Sequence, residues 1–368
     1  MSDDASGSAT AERGLEGATD AVANFEADDK GAIRRIQGIL HHYPTMIPLI
    51  VLLLGVVIFT IAAPGKFLSP LNLSVVLQQV TIVAILGIAQ TLVILTAGID
   101  LSVGLIMILC SVVMGRTAVV YGVPVLIAFP LGLLCGLACG WVNGIIVTGL
   151  KLPPFIVTLG TWSIFGALNV FYSRSETIRS QDMEASAPFL LWLGKTIKLW
   201  QDLGVPLPFL RGWVLTYGSL LMIVLAIIVS YVLSRTAFGR HVYATGDDPD
   251  AARLSGINTD RTLLAVYALA GLICAVGAWA LIGRIGGVSP QAGLTANLDS
   301  ITAVVIGGTS LFGGRGSIIG TLFGALIVGV FRNGLALSGL EILWQDFTVG
   351  VLIIVAVTID QWIRKIAA

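Results

Sequence analysis

Long apolar runs separated by short polar breaks dominate the chain. A helix needs roughly 20 mostly apolar residues to cross the about 30 Å hydrocarbon core of a bilayer. Ten stretches approach that length: residues 46–63, 75–96, 102–120, 124–148, 154–172, 213–234, 262–282, 298–313, 317–331 and 343–361. The eighth is the weakest, being short and interrupted by glycine. The pattern predicts an all-α polytopic membrane protein whose transmembrane domain fills residues 46–368. Residues 1–45 are polar, rich in Ala, Asp and Glu, and lack the basic-then-apolar order of a cleaved signal peptide. They are expected to form a disordered tail.

Charge then orients the spans. Lys30, Arg34 and Arg35 precede the first, and Arg364 and Lys365 follow the last. The positive-inside bias therefore puts both termini in the cytoplasm, which requires an even number of crossings and agrees with ten. On this frame Lys151, the loop at 235–261 and Arg315 lie inside, whereas Lys66, Arg116, Arg284, Arg332 and the loop at 173–213 lie outside. Within that outer loop Phe189 to Trp200 reads either as an amphipathic helix at the membrane interface or as a plain folded loop.

Composition narrows the function. The 368 residues are 56% hydrophobic and 11% charged, against about 25% charged in a soluble domain. Lys+Arg and Asp+Glu balance at 21 each, without the basic excess of a nucleic-acid binder, so no nucleic-acid partner is expected. Cys110, Cys135, Cys139 and Cys274 sit in apolar runs with no histidine or carboxylate beside them, which reads as packing, with no metal site. No G-x-x-x-x-G-K-[ST] loop is present, since Gly308 to Arg315 has Gly314 where lysine is needed. No catalytic residue is expected, and no cofactor bound by this chain.

Small residues and glycine breaks carry the next layer. Gly132, Gly136, Gly140 and Gly144 recur every four residues, as do Gly316, Gly320 and Gly324; such stripes let helix backbones approach in lipid. Two glycine-rich breaks, Ala97 to Gly104 and Gly307 to Gly314, follow similar apolar lead-ins in the two halves of the chain. Unwound backbone at depth is tolerated only where it lines a cavity or is buried in protein, so corresponding breaks point to a transporter's pathway. Asp100 is the only acid between Asp29 and Glu176; it reads as a helix cap or hinge, or as a pathway carboxylate. The polar residues Gln79, Gln90, Asn143 and Thr158, with Gly98, Ser102, Gly104, Gly308 and Thr309 in the breaks, are the candidates for path or hinge. Buried Gln, Asn and Thr also glue helices together, and both readings stand. In the loop at 235–261, Asp248 is an N-cap, Pro249 suits the first helical position and Gly256 is placed to end a helix through Ser255. A helix this short is marginal alone, so it is expected to dock on a partner.

Taken together these motifs resemble the permease subunit of bacterial ATP-binding-cassette monosaccharide importers, the ribose, xylose and fructose group. The resemblance runs from about Pro48 to the C-terminus. It rests on Thr96-Ala-Gly-Ile-Asp-Leu-Ser-Val-Gly104, Asn143-Gly144 with Leu152-Pro-Pro-Phe-Ile-Val-Thr-Leu-Gly160, Tyr243-Ala-Thr-Gly246 with Ala251-Ala252 and Ser255-Gly256, and Gly307-Gly-Thr-Ser-Leu-Phe-Gly-Gly314. It implies a fold similar to the cobalamin importer's membrane subunit, a type II importer with about ten helices and re-entrant segments, paired with a second permease copy around a central path in the bacterial inner membrane. It also implies an ATPase subunit carrying ATP and Mg on the cytoplasmic loops, and a periplasmic sugar-binding protein at the outer face. Tyr243, Gly246, Asp248, Pro249, Ala251, Ala252, Ser255 and Gly256 would couple the chain to the ATPase. The family usually has Gly-Asn where this chain has Asp247-Asp248; both cap helices, so structure is expected to be kept and partner electrostatics changed. Fructose is the first expectation for cargo, then ribose or another pentose or hexose. The alternatives are a permease for nucleosides or a furanosyl signalling molecule, or an ion-coupled carrier, which generally needs intramembrane carboxylate or histidine relays that are scarce here.

Overall fold

The computed structural model describes residues 46–202 and 211–367. The expected N-terminal tail, residues 1–45, lies outside them. The rest is mostly helical. Apolar residues drive it, and punctuation sets the ends: Ser69 caps α2 (Pro70–Leu95), with Pro70 in the first turn, and Ser317 caps α13 (Ile318–Leu337). In chain order the other membrane-scale helices are α1 (Met46–Ala62), α3 (Val103–Gly115), α4 (Val125–Leu150), α5 (Pro154–Ser173), α8 (Tyr217–Arg235), α11 (Thr259–Ile285), α12 (Ala296–Ile306) and α14 (Ile342–Ala367). Helix α3 runs on as a π-helical turn, Arg116–Val120, whose buried Arg116 donates to the Ser173 carbonyl and pairs with Glu176 at 2.9 Å. Among the described residues seven helices are long and apolar enough to cross a membrane, namely α2, α3 with its extension, α4, α5, α8, α11 and α13.

Helices α2, α3 and α11 form the core of the bundle, and α3 is buried on almost every side. The small-residue stripes do what their spacing predicts. On α4, a Cβ at Gly136 would strike the Gly271 carbonyl, one at Gly140 the Tyr267 carbonyl, and one at Gly144 would crowd Leu264, so the stripe is the seat of α11. On α13, Gly320 and Gly324 face the Gly307 and Ala303 carbonyls of α12 in the same manner. Helix α12 has 11 residues, about 16 Å, roughly half a bilayer core. The predicted eighth span, 298–313, therefore ends early, because Gly307 and Gly308 stop the helix.

The segment Phe189 to Trp200 is a folded loop and not an amphipathic helix. It holds a single 3-10 turn (Trp192–Gly194), then β1 (Thr196–Lys198) paired antiparallel with β2 (Val214–Thr216), with helix resuming only in α7 (Leu199–Asp202). Its aromatic rings stack on the bundle, Trp192 on Tyr217 at 4.5 Å and Phe189 on Trp279 at 5.1 Å. Gly194 lies so close to the Gly283 carbonyl that no Cβ fits between them. The other helix of the 173–213 segment is α6 (Ser180–Ser186).

Candidate functional site

The first break lies in a polar cage. Asp100 is 1% exposed. Its Oδ1 accepts from the Ser102 N–H at 2.7 Å and the Ser102 hydroxyl at 2.6 Å, closing a local turn. Asn143 Nδ2 on α4 donates to Ser102 Oγ at 2.9 Å and reaches Asp100 Oδ2 at 3.4 Å. With its amide turned to suit its neighbours, Gln90 on α2 brackets the same residue, donating to the Asp100 carbonyl at 3.1 Å and accepting from its N–H at 3.2 Å. Thr158 Oγ1 on α5 accepts from Leu101 N–H and donates to the Ile99 carbonyl, and Asn297 Nδ2 on α12 donates to the Leu101 carbonyl at 2.7 Å. Four helices thus hold a few unwound residues by their peptide groups, which answers where the backbone hydrogen bonds of a buried break go. Ala97 takes φ +59°, a left-handed conformation costly for a residue with a Cβ. Gly98 lies against the Tyr267 hydroxyl and Gly104 against Asn297, each leaving little room for a side chain.

The second break folds onto the first. Gly308 (φ +84°) turns the chain after α12, Thr309 is buried against Gly316, and Ser310 N–H donates to the Arg315 carbonyl at 2.8 Å. Gly314 N–H then donates to the Leu95 carbonyl at 3.0 Å, joining this break to the last turn of α2.

Two short helices meet that seam. Thr236 caps α9 (Ala237–Asp247), and Asp248 ends it while capping α10 (Pro249–Leu254), its Oδ1 accepting from the N–H groups of Asp250 at 2.9 Å and Ala251 at 3.0 Å. Ser255 Oγ donates to the Ala251 carbonyl, and Gly256 (φ +84°) releases the chain into α11. Arg253 Nε donates to Thr259 Oγ1 at 2.8 Å, tying α10 to that helix. On α9, Tyr243 Oη donates to the Gly316 carbonyl at 2.9 Å. Burial pushes its phenol above the ordinary range, so it remains a neutral donor. Gly246 packs so tightly that a Cβ would strike the Leu95 carbonyl and crowd the Gly314 nitrogen, while Gly313 faces the Gly246 carbonyl. The end of α2, helix α9 and the second break therefore meet in one junction. Helix α10 projects from it with Ala252 buried, Ala251 and Ser255 exposed, and Leu254 91% exposed.

At the opposite ends of the same helices lies a cavity of about 450 Å³. Of the predicted path residues, Gln79 lines it; Gln90, Asn143 and Thr158 belong to the cage instead. Its other polar walls are Arg284, Asp299, Arg332, Asn333 and Gln345. Arg332 bridges Asp299 at 2.7 Å and Asp346 at 3.0 Å, linking α12, α13 and α14. Asn333 and Asn72 exchange two amide hydrogen bonds at 2.9 and 3.0 Å. Sequence reasoning missed all of these lining residues except Gln79. The available signal was charge inside predicted spans, Asp299 in the eighth above all.

Residues 72–357 match the family model described as the branched-chain amino acid transport system / permease component. The fructose import permease protein FrcC of Rhizobium meliloti is 54% identical over 347 residues, covering 94% of this chain and 93% of that one. The ribose import permease protein RbsC of Bacillus subtilis is 38% identical over 314 residues, covering 85% and 92%. The xylose transport system permease protein XylH of Escherichia coli is 34% identical over 351 residues, covering 83% and 89%. No solved structure matches the chain. A polytopic bundle with paired glycine breaks, matched along most of its length by these permeases, belongs to the branched-chain amino acid transport system / permease component family.

Proposed function

We propose that the chain is the membrane permease of an ATP-driven sugar importer, that fructose is its cargo, and that a separate subunit hydrolyses the ATP. The observation that carries this is the 54% identity to a fructose import permease over 94% of the chain. The junction of α9, α2 and the second break supports the coupling part of the reading. A push on α10 from a soluble partner is delivered by Gly246 and Tyr243 directly to the segments that interrupt the spans. On this reading Tyr243, Gly246, Asp248, Pro249, Ala251, Ala252, Ser255 and Gly256 form the ATPase coupling site, and the path runs from the cavity past Gln79 toward the caged breaks. The seven long helices together with α1, α14 and α12, the last completed by the unwound break that follows it, make ten crossings, with both termini cytoplasmic, in the arrangement of a type II importer. The apolar outward faces of α4 and α5, including Trp141, Phe155, Trp162 and Phe171, would meet lipid or a second copy of the chain. A periplasmic binding protein would deliver the sugar.

The test is ATP-driven uptake of labelled fructose by vesicles holding the reconstituted complex, with unlabelled ribose and xylose as competitors. Uptake that needs ATP, and that fructose competes best, is the expected result. Ribose or xylose competing best would reassign the cargo, and sugar uptake driven by a proton gradient without ATP would overturn the ATP-driven reading.

A further inference from the structure

Charged and amide side chains inside a membrane bundle are costly, and helix packing does not require them when Gly, Ala and Ser suffice. The cavity between α2, α11, α12, α13 and α14 nevertheless gathers six such side chains, Arg284 being exposed at its mouth. Arg332 pairs with Asp299 and with Asp346, which lies beside the cavity, while Arg284 lines it without an ion-pair partner among the described residues; two positive charges and two negative ones balance around the space, which favours a neutral ligand. Arg332 is locked at both ends by its ion pairs. Arg284 is not: among the described residues its one hydrogen bond is to the Gln79 carbonyl at 3.4 Å, which leaves most of a guanidinium's five donors free. Gln79 and Gln345 add carboxamides that both donate and accept, while Ile82 and Leu281 supply an apolar wall. The volume, about 450 Å³, falls within the range of about 300–1,000 Å³ typical of small-molecule sites. Hydroxyl-reading groups interleaved with apolar side chains suit a sugar ring better than an ion or an acyl chain.

We propose that this cavity is a recognition site for a neutral monosaccharide belonging to the permease itself, with Gln79 and Arg284 reading the hydroxyls and the Arg332–Asp299 pair forming a rigid wall. The inference rests on the sugar-permease reading above. The sugar is thus inspected a second time after delivery, by this chain.

The experiment is saturation-transfer NMR of millimolar fructose with the full-length permease in nanodiscs, without binding protein, run beside ATP-driven uptake by the complete complex. Wild-type permease should transfer saturation to fructose, and Gln79→Leu and Arg284→Leu should each weaken binding about fivefold or more. A cationic amino sugar should bind more weakly than fructose in wild type and regain ground in Arg284→Leu. If Gln79→Leu fails to fold, Gln345→Leu removes a carboxamide from a different helix. A complex that imports fructose while the isolated permease gives no signal, or equal signals in wild type and variants, overturns this site and leaves the importer reading intact. A wild-type complex that imports no sugar overturns the importer reading instead.

Discussion

Asp100 decides at the level of one side chain between two kinds of transporter. As a coupling carboxylate it would have to exchange a proton or cation. As found, it is enclosed, accepts from Ser102 twice and from Asn143, and spends its acceptors holding a turn. Asn143 Oδ1 has no partner among the described residues. An amide at position 100 is accommodated by turning Asn143, which offers that oxygen to the new amide and to the Ser102 hydroxyl but leaves its own Nδ2 in the partnerless place. Asp100→Asn should cost about 1–2 kcal/mol, whereas Asp100→Leu, which orphans several buried donors at about 1–3 kcal/mol each, should cost about 3–5 kcal/mol. Thermal melting in detergent measures the difference, and ATP-driven uptake should survive the asparagine variant. Loss of uptake in a well-folded Asp100→Asn would return the carboxylate to a coupling role. The sequence marks Asp100 as a lone acid beside a helix start; in the structure it closes a turn onto Ser102, the residue just before α3, rather than capping the helix itself. The residues that hold this break, Gln90 and Asn143 on Asp100 and Thr158 and Asn297 on its neighbours Ile99 and Leu101, come from four helices between ten and about two hundred residues away, and no local pattern encodes such a meeting.

At the scale of elements, legibility followed local chemistry. Helix α10 was readable because Asp248, Pro249 and Gly256 are start and stop signals in consecutive sequence. Helix α9 was not: two glycines and a β-branched Val242 weaken its propensity, and it is held by docking at Gly246 rather than by its own residues. The glycine stripes were read as packing seams before their partners were known, since close approach needs only the spacing. The outer loop was ambiguous because Trp and Lys residues suit an interfacial helix as well as a ring-stacked turn. The exposed face of α10 offers a test of the proposed coupling. Ala252 is 4% exposed and Leu254 91% exposed, so a bulky charge at Ala252 damages the fold while one at Leu254 meets only the partner. Leu254→Glu should leave the melting temperature unchanged and weaken ATPase association by about tenfold, the loss expected for one buried leucine anchor of about 1.5 kcal/mol. Co-purification of the ATPase with the variant measures it, and undiminished association would remove α10 from the interface.

For the whole molecule, two helices connect its two ends. Helix α2 carries Gln79 at the cavity and Leu95 at the junction, 16 residues apart, about 24 Å along one rigid rod. Helix α12 carries Asp299 at the cavity and enters the second break at Gly307. On the proposed coupling, a rearrangement at the junction would shift two cavity walls at once. The hydrogen bond from Tyr243 Oη to the Gly316 carbonyl, just past the second break, is the one side-chain link from α9 to that region among the described hydrogen bonds, whereas the Gly246 contact is packing against both α2 and the break's Gly313 and Gly314. Tyr243→Phe keeps the ring and removes that link, at about 1 kcal/mol. The complex should assemble and hydrolyse ATP at its normal rate, but import roughly two to five times less fructose per ATP. The ratio of labelled sugar imported to phosphate released measures this directly. An unchanged ratio would mean that the push reaches the breaks through the Gly246 packing alone, and a matching fall in hydrolysis would mean that Tyr243 serves docking rather than transmission.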